Sequence, residues 1–110
     1  GRYTEAADSF REHLTLHSED HDARIALAGL CATHLADPRA AERIYLEVRA
    51  SQPSPRQEWV VSQALIDLHR KSGDRGRHMA ELARMADRYR GTKAADAAKR
   101  VLQELKRDGG

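Results

Sequence analysis

The chain has 110 residues, a hydrophobic fraction of 40%, an aromatic fraction of 5% and a formal net charge of +2. This length predicts one domain, and the near balance of basic and acidic side chains disfavours a nucleic-acid module, which concentrates basic charge on one surface. Alanine and leucine supply most of the apolar content while β-branched and aromatic residues are scarce, so the composition predicts helices rather than strands.

The single cysteine, Cys31, excludes an internal disulfide bond. No run of about 18 apolar residues is present, so we expect no direct insertion into a membrane. No basic segment followed by an apolar one opens the chain, which disfavours a secretion signal. Because the chain begins with Gly1 rather than methionine, we interpret it as a segment of a larger protein and expect a cytoplasmic location for this segment.

The first two predicted helices cover residues 3–16 and 22–35. In the first, Ala6, Phe10 and Leu14 follow one another at intervals of four residues, which places them on one helix face. Short connections throughout the chain predict that sequential helices pack antiparallel.

Capping residues predict where the other helices begin. A short polar side chain before a helix accepts a hydrogen bond from the first turn, and proline at the first helical position lacks the N–H that would be unpaired there. These signals occur at Ser18-Glu19-Asp20, Asp37-Pro38, Ser54-Pro55, Asp74 and Thr92. Gly73 suits the left-handed position just beyond a helix end.

An internal repeat links the first and third predicted helices. Their apolar positions recur after 34 residues, with Ala6, Phe10 and Leu14 corresponding to Ala40, Ile44 and Val48. A period of about 34 residues is that of the tetratricopeptide repeat. Leu27-Ala28 stands where that family has a Leu-Gly pair, and residues 89–92 are similar to the Tyr-Pro-Gly-Thr stretch of bacterial repeat proteins. The chain therefore resembles the tetratricopeptide-repeat family.

The resemblance implies an all-α fold in which antiparallel helix hairpins stack as a short right-handed solenoid. The expected divisions of the single domain, residues 1–110, are a half repeat over 1–20, full repeats over 21–53 and 54–91, and a C-terminal capping helix over 92–107. Each hairpin needs a neighbour to bury its apolar face.

The family implies a non-catalytic scaffold, because its members usually bind a protein or peptide in the concave groove lined by the first helix of each pair. The positions expected to contact the partner are Asp22, Ile25, Gly29, Thr33, Gln63, Asp67, Arg70 and Lys71. Many such grooves hold a C-terminal carboxylate with asparagine, and this chain contains no asparagine.

Two other functions remain open. The first hairpin has only one helix in this chain, so Ala7, Phe10 and Leu14 are expected to be exposed and could form a symmetric homodimer. Alternatively, the segment is an accessory domain of a larger membrane-linked or enzymatic protein.

Candidate chemical sites are few, and each has a plain structural alternative. His13, His17 and His21 have the spacing of metal ligands, but Asp20 should end the helix before His21, which favours solvated positions and no metal. Cys31, with His34 three residues later, could be a nucleophile, yet its place on an apolar stripe favours a buried thiol.

A basic turn could bind an anion; its members are Arg70, Lys71, Arg75, Arg77 and His78. Asp67, Asp74 and Glu81 lie close in sequence and favour a solvated surface of mixed charge. Trp59 fits an interface anchor and loop packing equally well. Because no catalytic or phosphate-binding motif is present, we predict no enzyme and no cofactor.

Overall fold

The computed structural model describes residues 1–109, and all regular secondary structure in that range is helical. The helices are α1 (Arg2–Leu16), α2 (His21–Thr33), α3 (Pro38–Ala50), α4 (Pro55–Ser72), α5 (Arg75–Arg88) and α6 (Lys93–Gly109). The all-α prediction is confirmed, whereas a right-handed solenoid of the tetratricopeptide type stays a prediction.

The predicted capping residues begin the helices. A side-chain oxygen accepts a hydrogen bond from the N–H group three residues later, at 3.0 to 3.2 Å, in Asp20, Asp37, Asp74 and Thr92. At the start of α4 the Ser54 Oγ accepts from the Gln57 N–H, and the Gln57 Oε1 accepts from the Ser54 N–H. This reciprocal pair is a capping box, so local side chains satisfy the first-turn amides.

The helix α2 ends at Thr33, before the predicted end at Leu35. The Leu35 amide donates to the carbonyl of Leu30, five residues earlier, which interrupts the α-helical pattern. Ala36 follows with φ of 49°, in the left-handed region that usually terminates a helix. The predicted left-handed glycine is confirmed, since Gly73 has φ of 76°.

Contacts divide the chain into two compact units, of which the first is Gly1–Ala64 and the second begins at Leu65. The boundary falls inside α4, and the predicted repeat divisions stay a prediction. In the first unit, α2 packs against both α1 and α3. Ala28 on α2 and Ala41 on α3 are fully buried, and such small side chains let two helices approach closely.

In the second unit, α5 packs against α6. The buried side chains of these two helices include Leu82, Met85, Ala95 and Ala98. The guanidinium group of Arg75, in the first turn of α5, occupies the space where a side chain at residue 109 would lie. The start of α5 therefore lies beside the end of α6, as expected for an antiparallel hairpin.

Candidate functional site

Four of the predicted contact residues lie on α2, and we call Asp22, Ile25, Gly29 and Thr33 the α2 patch. Their spacing of three and four residues places them along one side of the helix. Asp22 and Thr33 are exposed, while Ile25 and Gly29 are half-buried. The α2 patch thus combines polar ends with a less exposed apolar centre.

Asp22 is tied to the start of α4. Its Oδ1 accepts hydrogen bonds from Arg56 Nη2 at 3.0 Å and from Gln57 Nε2 at 3.1 Å. Arg56 lies 34 residues after Asp22, which is one repeat period. This pair was not predicted from the sequence, although opposite charges 34 residues apart were a usable signal. Because the side chains of Asp22 and Arg56 are 63% and 69% exposed, the pair can exchange partners at little cost.

Gly29 lies beside Tyr45 of α3. A β-carbon at this position would lie 3.9 Å from the Tyr45 hydroxyl, at ordinary contact distance. Thr33 donates its hydroxyl hydrogen to the Gly29 carbonyl at 2.7 Å, so that hydroxyl oxygen retains the capacity to accept a further hydrogen bond. The polar end of the α2 patch therefore keeps one accepting group.

The remaining predicted contacts lie on α4, and we call Gln63, Asp67, Arg70 and Lys71 the α4 patch. Asp67 accepts a hydrogen bond from Arg70, and its other oxygen lies 3.0 Å from Lys71 Nζ. The hydrogen bond from Lys71, with that from Arg70, holds the pKa of Asp67 below its ordinary value. Gln63, Arg70 and Lys71 are exposed, so these ion pairs contribute little to stability and remain accessible.

The predicted basic turn is wrong in one member. Arg70, Lys71, Arg75 and Arg77 are exposed, but His78 is only 7% exposed. His78 lies in the same stripe of α5 as buried Leu82 and Met85, at spacings of four and three residues. Its ring therefore belongs to the interior of the second unit and is withdrawn from the basic surface.

The α1 surface proposed for self-association also needs a correction. Ala7 was expected to be exposed and is fully buried, because α1 turns it inward where it packs beside α2. Phe10 and Leu14 are half-buried, whereas their counterparts in α3, Ile44 and Val48, are buried. The apolar surface that α1 leaves accessible is formed by Phe10, Leu14 and also Leu16, which is 80% exposed.

One histidine of α1, His13, bonds to a capping residue. His13 Nε2 lies 2.7 Å from Asp20 Oδ2, and the His13 and His17 rings are 4.8 Å apart. The hydrogen bonds from His13 and from the Ala23 amide lower the pKa of Asp20. Over residues 1–109, no three histidine, cysteine or acidic side chains are grouped as a metal site requires. His21 lies beyond the cap, as predicted, and its Nε2 bonds to the Ser51 carbonyl.

Cys31 and His34 do not form a nucleophile and base. Cys31 is buried, as predicted, and burial raises the pKa of its thiol. A nucleophilic cysteine needs the opposite shift. His34 is exposed, and its ring stacks on Tyr3 with 3.8 Å between ring centroids. Trp59 is half-buried, a burial that fits both of its proposed roles.

The two units differ in charge. Residues 1–64 contain seven basic and ten acidic side chains, whereas residues 65–110 contain twelve basic and seven acidic ones. The balanced total therefore combines a mildly acidic first segment with a basic second one. Within residues 1–109, no helix combines the length and the apolar character needed to span a bilayer. Comparison with protein-family models, curated proteins and solved structures found no match to this chain.

Proposed function

We propose that this chain is a non-catalytic binding module that recognises another protein or a peptide through the α2 patch and the α4 patch. The tetratricopeptide-repeat resemblance implies that such a partner binds in a concave groove lined by the first helix of each pair. The observation that supports binding most directly is the pattern within the α2 patch. Exposed Asp22 and Thr33 flank half-buried Ile25 and Gly29, so one helix side offers polar recognition and apolar contact together.

The charges of the α4 patch suggest what the partner offers. Arg70 and Lys71 share one carboxylate, Asp67, so two cations are only partly neutralised by one anion. A carboxylate on an acidic partner segment can therefore join this cluster without leaving a cation unpaired. The basic excess of residues 65–110 would attract such a segment over longer distances at low salt.

Site-specific photo-crosslinking tests this proposal in cells that express the protein. A photoreactive amino acid replaces Thr33 in the α2 patch or Gln63 in the α4 patch, both of which are exposed. Matched controls carry it at Thr15 on α1 and at Gln103 on α6, which are also exposed. We expect Thr33 and Gln63 variants to give an adduct with the same partner, identified by mass spectrometry, and the controls to give none.

Adducts that form equally at the control positions would contradict the proposal, because contact would then be unspecific. Complete lack of an adduct at both Thr33 and Gln63 would also count against it. An adduct at Thr15 with twice the mass of the chain would instead indicate self-association through α1.

Self-association is the second candidate, and the exposed Leu16 is the observation that favours it. Phe10 and Leu14 lie one turn apart on one side of the same helix and are half-buried, so a second copy could cover them, with Leu16 at the end of the helix beside the contact. If this candidate is correct, sedimentation velocity should show a dimer that persists at low micromolar concentration and that Leu16→Asp converts to monomer. Ala97→Asp on the exposed side of α6 is the control. A wild-type monomer at every concentration would eliminate this candidate.

A further inference from the structure

Two buried histidines flank the turn between α4 and α5. His69, near the end of α4, is 5% exposed, and His78, one turn inside α5, is 7% exposed. Histidine is the side chain whose ordinary pKa lies closest to physiological pH. The stability of a structure that buries a histidine can therefore depend on pH in this range. Neither partner binding nor self-association, as proposed above, uses these two rings.

Backbone hydrogen bonds join both histidines to the turn. The Asp74 amide donates to the His69 carbonyl at 3.1 Å, and the His78 amide donates to the Asp74 carbonyl at 2.9 Å. Gly73, between them, adopts the left-handed conformation that reverses the chain. The backbone of each histidine therefore takes part in the hydrogen bonds that close this turn.

The charges around His78 oppose its protonation. Burial has the largest effect and lowers the pKa of His78, and the nearby Arg70 and His69 lower it further. On its own helix, Asp74 and Glu81 lie about one turn away on either side. Charges of both signs lie near the start of α5. On α4, Arg70 and Lys71 are in the last turn and Asp67 is in the turn before it, and α6 ends with Lys106, Arg107 and Asp108.

We infer that the α4–α5 turn is an acid-labile element, which loosens when buried His78 gains a proton beside Arg70 and His69. Protonation would place a further positive charge beside Arg70 in a poorly solvated position, where a buried charge is strongly disfavoured. The ring then moves toward water, and the start of α5, which carries it, shifts with it and weakens the backbone hydrogen bonds that close the turn.

The direction of the pH dependence follows from the pKa difference between the two states. The unfolded chain binds the proton with an ordinary histidine pKa of about 6.5, whereas the folded chain binds it only at lower pH. The stability that neutral, buried His78 contributes to the folded state is therefore complete above about pH 6.5. It is lost as the pH falls toward the pKa of His78 in the folded state. Asp20 and Asp67 have lowered carboxyl pKa values, so their contributions are lost only in a separate and more acidic range.

Acid loosening would also act on the α4 patch. Arg70 and Lys71 lie in the last turn of α4, directly before this turn. A partner held there would be released at mildly acidic pH. This consequence rests on the proposed function, whereas the lability of the turn does not, so a failure of partner binding would leave it standing.

Urea unfolding at about pH 7.5 and about pH 5.5 tests the inference. We compare the wild type with His78→Gln, which cannot titrate, and with the control His17→Gln, whose site is exposed. Below about pH 6.5 the proton on His78 raises the unfolding equilibrium constant by up to about tenfold per pH unit. We expect the difference in unfolding free energy between the two pH values to be smaller in His78→Gln than in the wild type. In His17→Gln this difference should equal that of the wild type.

Two measurements on the wild type avoid any effect of the substitution on folding. An NMR titration should show His78 titrating below about 6.5. The Asp74 and His78 amides should be less protected from hydrogen exchange at mildly acidic pH than at neutral pH. The protection of the Arg24 amide, in the first turn of α2, should not change. The inference is overturned if His78 titrates at or above the ordinary value, if the pH effect survives His78→Gln, or if protection of these two amides is unchanged.

Discussion

Replacing Ile44 with aspartate should destabilise the first unit by at least about 3 kcal/mol in the free energy of unfolding. Ile44 lies on α3 and is 7% exposed. The substitution removes a buried aliphatic side chain and places a carboxylate among apolar neighbours, where it lacks a compensating cation. The measurement is urea unfolding followed by circular dichroism, with the loss read from the transition midpoint at unchanged slope.

Leu46→Asp is the matched control for this prediction. Leu46 lies two residues further along α3 and is 42% exposed, so it shares the helix and the helix propensity of the new side chain. We expect it to cost less than about 1 kcal/mol, in the range of surface substitutions. Similar losses from both variants would show that aspartate weakens α3 itself, and that burial of Ile44 is not what matters.

Truncating Leu65 to alanine is expected to cost about 2–5 kcal/mol, the range for leucine in a core that relaxes only partly. Leu65 lies on α4 and is fully buried, and it is among the largest side chains that the structure buries completely. Differential scanning calorimetry should show a lower melting temperature. Amide exchange in α5 and α6 should rise if the cavity weakens the second unit as a whole.

Leu16→Ala removes the same atoms from a side chain that is 80% exposed. Its cost should stay below about 1 kcal/mol, so the difference between the two variants measures burial alone. An unchanged melting temperature for Leu65→Ala would contradict the complete burial of Leu65. A large loss for Leu16→Ala would instead point to a second copy covering α1.

The corrections to the predicted sites share one cause. Ala7 was placed from helix spacing, which specifies the side of a helix on which a residue lies, and His78 was placed from its basic neighbours in the sequence. Neither signal specifies which side a neighbouring helix covers. Ala7 is buried beside α2, and His78 is buried in the second unit.

Helix positions could be predicted from the sequence because they depend on residues close together in the chain. Capping side chains, proline at a first position and Gly73 act over three or four residues, and the helices begin where those signals stand. The main local error, the early end of α2, arose where Ala36 adopts a left-handed conformation that alanine rarely takes. Alanine is not a residue type that indicates a left-handed conformation, so the sequence did not predict it.

Contacts between helices could not be predicted in the same way. Two side-chain bonds join residues of different helices or their caps, namely His13 to Asp20 and Arg56 to Asp22. The burial of His69 and His78 likewise depends on side chains from other helices. Their energies come from desolvation and from distances across helix interfaces, and residue order specifies neither. Local chemistry thus accounts for the helices and their ends, while packing between helices selects which of the candidate residues remain on the surface.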